Sequence, residues 1–134
     1  MGDLSPHFDS SEFRCRHCGV VKRPAPALVD ALERLRAIAY PDGLRIVSGY
    51  RCPEHNARIG GASRSQHLYA TAADIEPRVP LDRVKAMKGF SGIGWSWYGR
   101  GIRRRRLVRH VDVRHAGPFN PFAATKERPT TFRE

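Results

Sequence analysis

Apolar residues recur every three or four positions across residues 26–40, and charged residues fill many of the positions between them. The apolar set is Leu28, Ala31, Leu32, Leu35 and Ile38. Since an α-helix makes one turn in about 3.6 residues, this spacing collects the set on one face. We therefore predict a core-packing helix over residues 26–40, followed by a turn at Pro41-Asp42-Gly43.

Four short stretches predict β-strands, because apolar and polar residues alternate in them or β-branched residues are frequent. They are residues 44–48, 71–76, 91–95 and 107–114. Three more helices are predicted at residues 9–13, 53–59 and 80–88, the second of them opened by Pro53 at its first turn. Residues 60–64, which begin with Gly60 and Gly61, are predicted to form a loop.

This order of elements predicts an α+β fold, with helices packed on one side of a small, mostly antiparallel sheet. At 134 residues the chain is long enough for one domain and too short for two. We assign the domain to residues 1–117. Residues 118–134 contain Pro118, Pro121 and Pro129 and show no periodicity, which predicts an extended or partly disordered tail.

Composition narrows the class of protein. Hydrophobic residues make up 40% of the chain and charged residues 28%, and no apolar run is long enough to span a membrane. The N-terminal residues lack a basic segment followed by an apolar core, so we expect no secretory signal. The protein is therefore expected to be cytoplasmic as synthesised, and we expect a monomer.

The formal net charge is +11, and six arginines lie within residues 100–109. Such a cationic surface raises encounter rates with polyanions, which include nucleic acids, cell-wall polymers and anionic membranes. We find no aromatic interleaving and no nucleic-acid-binding module with the arginines, so the run does not specify DNA or RNA. The alternative interpretation is a solvated loop that keeps the protein soluble.

The chain has three cysteines, an odd number that argues against a framework of disulfides. Cys15 and Cys18 form a Cys-x-x-Cys pair, and His55 follows Cys52 at the same interval. Three cysteines and one histidine at these intervals are compatible with a structural zinc site, in which His17 competes for the place of His55. Reduced, buried thiols are the alternative.

The strongest candidates for chemistry are His67 and Asp74, together with a predicted strand that carries His110 and Asp112. Two imidazoles, a carboxylate and an open fourth position are what a catalytic zinc ion needs to activate water. His110 and Asp112 are two residues apart, so their side chains share one face of the strand while Val111 faces the other. An exposed histidine beside a surface ion pair is the alternative for His110.

The residues around these candidates resemble the M15-type zinc peptidases, the group of D-Ala-D-Ala carboxypeptidases and phage endolysins that cut peptidoglycan peptides. The matching residues follow in order as Ser48-Gly49-Tyr50-Arg51, Asn56, Gly60-Gly61, Ser65-Gln66-His67 and Ala72-Ala73-Asp74-Ile75. The resemblance covers roughly residues 8–115 and implies the hedgehog/DD-peptidase fold. One departure is Ala70, where the family usually has glycine. Its methyl group is tolerated only if the backbone there avoids a glycine-only conformation.

The resemblance implies Zn²⁺ as cofactor, with His67 and Asp74 as two of its ligands. This chain resembles the His-x-Asp branch, in which we favour His110 as the third ligand and Asp112 as catalytic base or as the group that orients a ligand. Many relatives carry His-x-His instead, with the second histidine on zinc and the first in catalysis. The reversed assignment, with Asp112 on the metal, therefore stays open.

Roles are also expected for four further residues of the matching run. Arg51 is expected to grip the substrate or the transition-state oxygen, or else to pin the loops around the site, and Asn56 to tie loops together. Gln66 is expected to donate a hydrogen bond near the zinc-bound oxygen during catalysis, and Ser65 to contribute to substrate binding.

The implied reaction is zinc-assisted hydrolysis of a peptide bond, with a carboxylate that takes a proton from water and a protonated group that gives one to the leaving amine. No Ser-x-x-Lys motif is present, which argues against a serine-type mechanism.

We expect a peptidoglycan peptidase, either a carboxypeptidase or an endopeptidase, whose basic loop binds anionic wall polymers. As an endolysin it acts on the wall after release or as part of a phage particle. A zinc-containing wall-binding module without activity is the alternative, and a basic zinc protein that binds nucleic acid is a third interpretation, motivated only by charge and one Cys-x-x-Cys pair.

Overall fold

The computed structural model describes residues 2–39, 43–114 and 129–134. These residues form α1 (Pro26–Ala39), β1 (Arg45–Ser48), α2 (Pro53–Arg58), β2 (Ala72–Pro80), α3 (Leu81–Ala86), β3 (Gly92–Tyr98), β4 (Arg105–Asp112) and β5 (Thr130–Arg133). Short 3-10 helices lie at Ser10–Phe13, Gln66–Tyr69 and Gly101–Arg103. Pro41 and Asp42 of the predicted turn lie outside the described residues. No helix within the described ranges is long and apolar enough to cross a membrane.

The five strands form one sheet in the order β1-β2-β4-β3-β5. The pairings β1–β2, β2–β4 and β3–β4 are antiparallel, and β5 runs parallel to β3. The chain is therefore α+β, as predicted, with a mixed sheet in which most pairings are antiparallel. β5 belongs to residues 118–134, for which the sequence predicts an extended or partly disordered tail. Residues 118–128 lie outside the described residues.

The hairpin of β3 and β4 is longer than the sequence predicts. Tyr98 still pairs with Arg105, and Trp97 pairs with Arg106. The prediction of a loop across the arginine cluster is therefore wrong for Arg105 and Arg106, because pairing with aromatic residues on the opposite strand extends β4. The turn between the strands is made by the 3-10 helix Gly101–Arg103.

Aromatic rings also interleave with the arginines, which corrects the sequence-based interpretation. The guanidinium carbon of Arg104 lies 4.2 Å from the ring centroid of Trp97. That of Arg106 lies 5.5 Å from the ring of Trp95 and 5.9 Å from the ring of Trp97. These distances place both cations over indole faces, where the ring quadrupole attracts them. Arg104 and Arg106 therefore lie against tryptophan rings of the sheet, whereas Arg100 and Arg103 lie in the exposed turn between the strands.

Both α1 and α3 share a single apolar cluster with one face of the sheet. The helices contribute Leu28, Leu32, Leu35, Leu81 and Val84, and the strands contribute Ile46, Ala73, Ile75, Ile93, Val108 and Val111. Each fully buried leucine contributes about 1.5–3 kcal/mol relative to an exposed one. Burial of Leu28, Leu32 and Leu35 is therefore a large favourable contribution to the packing of α1 on the sheet.

Five register partners on successive strands form a row across the sheet, in the order Ser48, Asp74, His110, Gly94 and Phe132. The first three have polar side chains, and we call them the polar row. Side chains alternate between the faces of a strand, so the neighbours Ala73 and Val111 point into the core while Asp74 and His110 point away from it. The pleat of β2 and β4 therefore places the carboxylate of Asp74 beside the imidazole of His110.

Candidate metal centre

His67 reaches the polar row from the short 3-10 helix Gln66–Tyr69. Its side chain is buried, and its Nδ1 atom lies 2.7 Å from the carbonyl oxygen of Gly49. Because a carbonyl can only accept, Nδ1 must carry the proton that it donates. The lone pair of the neutral imidazole is then on Nε2, which faces Asp74.

Three ligand atoms converge in front of the sheet. Asp74 Oδ1 lies 3.3 Å from His67 Nε2 and 3.4 Å from His110 Nδ1, and all three atoms are within 4.8 Å of one another. Ligands about 2.0–2.2 Å from a tetrahedral zinc ion stand about 3.4 Å apart. The distances from Asp74 Oδ1 to the two imidazole nitrogens therefore match the spacing of zinc ligands, and three such ligands leave a fourth position open.

The hydrogen bonding of these atoms supports the same fit. His67 Nε2 and Asp74 Oδ1 are buried and make no hydrogen bond with any residue that the structure describes. Buried polar atoms are normally satisfied, and an unsatisfied pair facing each other suits a cation. Burial would raise the pKa of the Asp74 carboxyl, but the imidazoles of His110 and His67 hold it well below its usual value. Asp74 is therefore a carboxylate, the form that binds metal.

Asp112 lies behind His110, on the side away from the convergent atoms. Its Oδ2 atom is 2.7 Å from His110 Nε2, and both of its oxygens accept from the guanidinium of Arg114 at 2.8–2.9 Å. The Asp112 side chain is fully buried. This geometry matches one of the two roles predicted for Asp112, that of orienting His110. Asp112 does not line the cavity in front of the convergent atoms, so this arrangement favours the orienting role over that of a catalytic base.

Arg51 lies beside the site, and its guanidinium contacts three side chains of the protein. Its guanidinium donates to Asn56 Oδ1 at 3.1 Å and to Ser48 Oγ at 3.4 Å, and lies 3.6 Å from Asp74 Oδ2. Its backbone N–H donates to the carbonyl of His67 at 3.1 Å. These contacts agree with the loop-pinning interpretation, in which Arg51 fixes Asp74 and the loop that carries His67.

The hydrogen bonds that Ser65 and Gln66 make within the protein are not the contacts predicted for them. Ser65 Oγ accepts the backbone N–H of His67 at 3.3 Å and so caps the 3-10 helix. Gln66 Oε1 accepts from the hydroxyl of Thr71 at 3.0 Å, which leaves the amide N–H groups as the donors available to a ligand. Both residues line the cavity in front of the convergent atoms.

Ala70 occupies a left-handed backbone conformation, with φ 57° and ψ 33°. This region is uncommon for residues with a Cβ atom but is open to them, so the condition stated for this alanine, a backbone that avoids a glycine-only conformation, is met. Left-handed backbone costs a residue with a Cβ atom about 1–2 kcal/mol, a cost that glycine avoids. The alanine is accommodated at that cost, and its carbonyl accepts from the backbone N–H of Ala25 at 3.0 Å.

A cavity of about 300 Å³ opens onto the three ligand atoms. Besides these, its lining includes Arg51, Arg64, Gln66, Arg114, Phe132 and Glu134. Sequence reasoning missed Phe132 and Glu134, which belong to the stretch assigned to a tail. The run Thr130-Thr131-Phe132 is rich in strand-forming residues and is the signal that could have indicated β5.

The predicted cysteine site lies apart from this cavity. The Sγ atoms of Cys15, Cys18 and Cys52 lie within 4.8 Å of one another, and no histidine joins the group among the residues described. The ring of His55, the fourth predicted member, stacks on the ring of His17, with centroids 5.8 Å apart and planes 2° from parallel. The structure thus brings together the three thiols without His55.

Comparison with known families gives one result. The family described as Peptidase M15 matches residues 6–112, which is most of the chain and includes all three convergent residues. No curated protein sequence matches the chain.

Proposed function

Because the chain belongs to the Peptidase M15 family, we propose that it is a zinc-dependent hydrolase of peptide bonds in peptidoglycan. The observation that carries this proposal is the convergence of His67 Nε2, Asp74 Oδ1 and His110 Nδ1 at the floor of an open cavity. Zinc suits this donor set of two imidazoles and one carboxylate, which leaves a position for water or substrate. When bound there, zinc supplies the Lewis acidity that polarises a carbonyl and activates water.

Glu134 is the residue of this chain that we assign to proton transfer. Its carboxylate lines the cavity, and its Oε1 atom would lie 3.0 Å from a Cβ atom at Gly94, the cross-strand partner of His110. The lack of a side chain at Gly94 therefore gives the carboxylate its place beside the metal ligands. In the reaction Glu134 takes the proton of the attacking water and passes it to the leaving amine. Asp112 is a positioning residue in this scheme, since it acts only through His110.

The cavity wall suits a peptide that carries negative charge. Arg64 is exposed and lines the cavity, as does Arg114, while Arg51 is held by contacts within the protein. A guanidinium binds a carboxylate through two parallel hydrogen bonds, so Arg64 is the residue best placed to grip a substrate carboxylate. Phe132 covers His110, with ring centroids 5.3 Å apart, and keeps water from one side of the site.

We further propose that the arginine–tryptophan surface of β3 and β4 binds the polyanions of the cell wall, in the manner of a phage endolysin. Arg104 and Arg106 are fixed over Trp97, so their charges are presented on a rigid strand pair. Such a surface adds affinity for the polymer without taking part in the reaction.

The test is digestion of purified cell walls by the full chain. We expect newly freed amino groups, their loss with a chelator and their return when zinc is added back. The matched control is Asp74→Asn, which keeps the size of the side chain and removes the charge that faces both imidazoles. Walls that bind the protein but release no amino groups in the presence of zinc would reject the peptidase and favour a binding module.

A further inference from the structure

Three thiols meet where the N-terminal arm crosses the loop that precedes α2. Cys15 is buried, Cys52 is half-buried and Cys18 is exposed, and their Sγ atoms lie within 4.8 Å of one another. Cys15 and Cys52 are separated by 37 residues in sequence, so the fold and not the local chain brings them together. None of the three contributes to the cavity described above.

The backbone from Cys15 to Val20 forms a tight turn. The carbonyl of Cys15 accepts from Gly19 N–H at 2.9 Å, and its own N–H donates to the carbonyl of Val20 at 2.9 Å. Gly19 has φ +74°, a left-handed value that favours glycine, and it lets the chain reverse directly after Cys18. This tight turn points two thiols in one direction.

Backbone donors surround the sulfur atoms. The N–H of Cys52 approaches Cys15 Sγ at 3.4 Å, and the N–H of His55 approaches Cys52 Sγ at 3.4 Å. Hydrogen bonds from backbone N–H groups stabilise sulfur in its thiolate form, which is the form that binds metal. The first of these bonds links the two chain segments, and the second also caps the first turn of α2.

We propose that Cys15, Cys18 and Cys52 bind a structural zinc ion, separate from the metal centre of the cavity. The three thiols lose their protons to solvent as the thiolates bind, and a fourth ligand completes the tetrahedron that structural zinc sites require. The imidazoles of His17 and His55, stacked beside one another, are the nitrogen donors that the same two chain segments supply.

The ion would hold the segment that shapes the cavity. Residues 49–52 carry the Gly49 carbonyl that orients His67, the side chain of Arg51 and the thiol of Cys52. The Tyr50 N–H donates to the Phe13 carbonyl at 2.8 Å, so this segment already contacts the N-terminal arm. Zinc bound by the three thiolates would link the N-terminal arm to the loop and so fix both segments, while taking no part in the reaction.

Cobalt(II) is the probe that separates the two sites, because thiolate ligands give it an intense charge-transfer absorption that histidine and carboxylate ligands do not. The full chain is made metal-free under reducing conditions and titrated with cobalt. We expect the wild-type chain to bind two equivalents of cobalt and to show the charge-transfer band. Cys18→Ser should lose one equivalent and weaken or abolish the band, whereas the matched variant His67→Ala should lose one equivalent and keep the band whole.

Cys18 is exposed, so its replacement by serine leaves the core intact. A second measurement uses the wild-type chain and needs no variant. Zinc should protect the exposed Cys18 and the half-buried Cys52 from a thiol-reactive dye, and a chelator should restore their reaction. A wild-type protein without the charge-transfer band, or with thiols that react equally with and without zinc, would overturn the proposal. Wall digestion by such a protein would leave the peptidase function standing, so the two proposals fail independently.

Discussion

Asp74 and His110 are register partners on adjacent antiparallel strands, and their Oδ1 and Nδ1 atoms lie 3.4 Å apart. Side chains on a strand alternate between faces, so the same register that joins this pair also joins Ala73 to Val111 in the core. A slip of one residue in β4 would move His110 into the core and Val111 to the cavity. The burial of apolar side chains thus fixes the geometry of the candidate metal centre.

We predict that His67→Ala loses one equivalent of zinc and all wall digestion. His67 supplies one of three ligand atoms, and a centre with two protein ligands is too weak to retain the ion. Metal analysis after dialysis measures the loss, and circular dichroism checks the fold. His7→Ala is the control, because His7 pairs with Glu33 at 2.7 Å in a different part of the chain. A metal content equal to wild type would refute the assignment of His67.

Local rules decide the placement of Asp74 and His110, whereas they do not decide that of His67. Asp74 and His110 lie in strands whose neighbours are apolar, and the alternation of β2 and β4 places both on the polar face. His67 was predicted only through its neighbours in the matching motif, since a 3-10 helix has no periodic signal. Its orientation depends on the Gly49 carbonyl, a contact across 18 residues that no local pattern contains.

The residues that the sequence did not predict are those placed by tertiary pairing. β5 joins β3 in parallel, and a parallel pairing between distant segments follows from no turn signal. Glu134 and Phe132 therefore remained in a predicted tail, although they line the cavity. Ile38 illustrates the opposite error: it fits the helical spacing of the core positions but lies 62% exposed near the end of α1.

We predict that Asp112→Asn weakens zinc binding by about tenfold to a hundredfold, because groups that orient a metal-bound histidine have effects of this size. At saturating zinc the variant should bind one ion at the cavity and digest walls more slowly. It should also be less stable to heat, since Arg114 loses a charged partner to which it is bonded at 2.8 Å. Competition with a chromogenic chelator gives the affinity. If Asp112→Asn lost the ion while His110→Ala retained it, the reversed ligand assignment would be correct.

In the metal-free protein we predict that His110 stays protonated to about pH 9. Burial disfavours its charged form, but the hydrogen bond to Asp112 and the neighbouring carboxylate of Asp74 outweigh that effect and raise the pKa to about 9. The folded pKa lies above the unfolded value of about 6.5. This proton therefore stabilises the metal-free fold fully below about pH 6.5, and the stabilisation is lost as the pH rises through about 9.

An NMR titration of the histidine rings measures this pKa directly in the metal-free chain. Asp112→Asn removes the nearer carboxylate charge, so the midpoint of His110 should move towards the ordinary value. A wild-type midpoint close to that of a free histidine would contradict the assigned contact between His110 and Asp112.

We predict that Glu134→Gln lowers the turnover of wall peptides by about 10²–10⁴-fold, the usual contribution of a general base. The amide keeps the shape of the side chain and cannot accept the proton of water, so zinc content should stay at the wild-type value. Glu76→Gln is the matched control, because Glu76 is a carboxylate on β2 that pairs with Arg45 on the surface. Equal turnover in both variants would remove Glu134 from the reaction, and loss of zinc in Glu134→Gln would make it a structural residue of the centre.

We predict that replacing residues 103–106 with serine weakens binding to whole cell walls and flattens its dependence on salt, while hydrolysis of a small uncharged peptide stays near the wild-type rate. The four arginines lie on the turn and first residues of β4, and none of them lines the cavity. Attraction between exposed charges is screened by salt, with a Debye length of about 8 Å at physiological ionic strength. Removing the charges therefore removes the part of wall binding that salt weakens.

The control for this prediction removes the same number of positive charges elsewhere, by glutamine at Arg36, Arg83, Lys85 and Lys88. These residues lie on or beside α1 and α3, and glutamine keeps their helix propensity. If net charge alone governed wall affinity, both variants would lose it equally. We expect the larger loss in the serine variant, because Arg104 and Arg106 are held over Trp97 and present their charges in fixed positions. Equal losses on walls and on the small peptide would instead place the arginines in the path of the substrate, and the proposed separation between wall binding and catalysis would have to be abandoned.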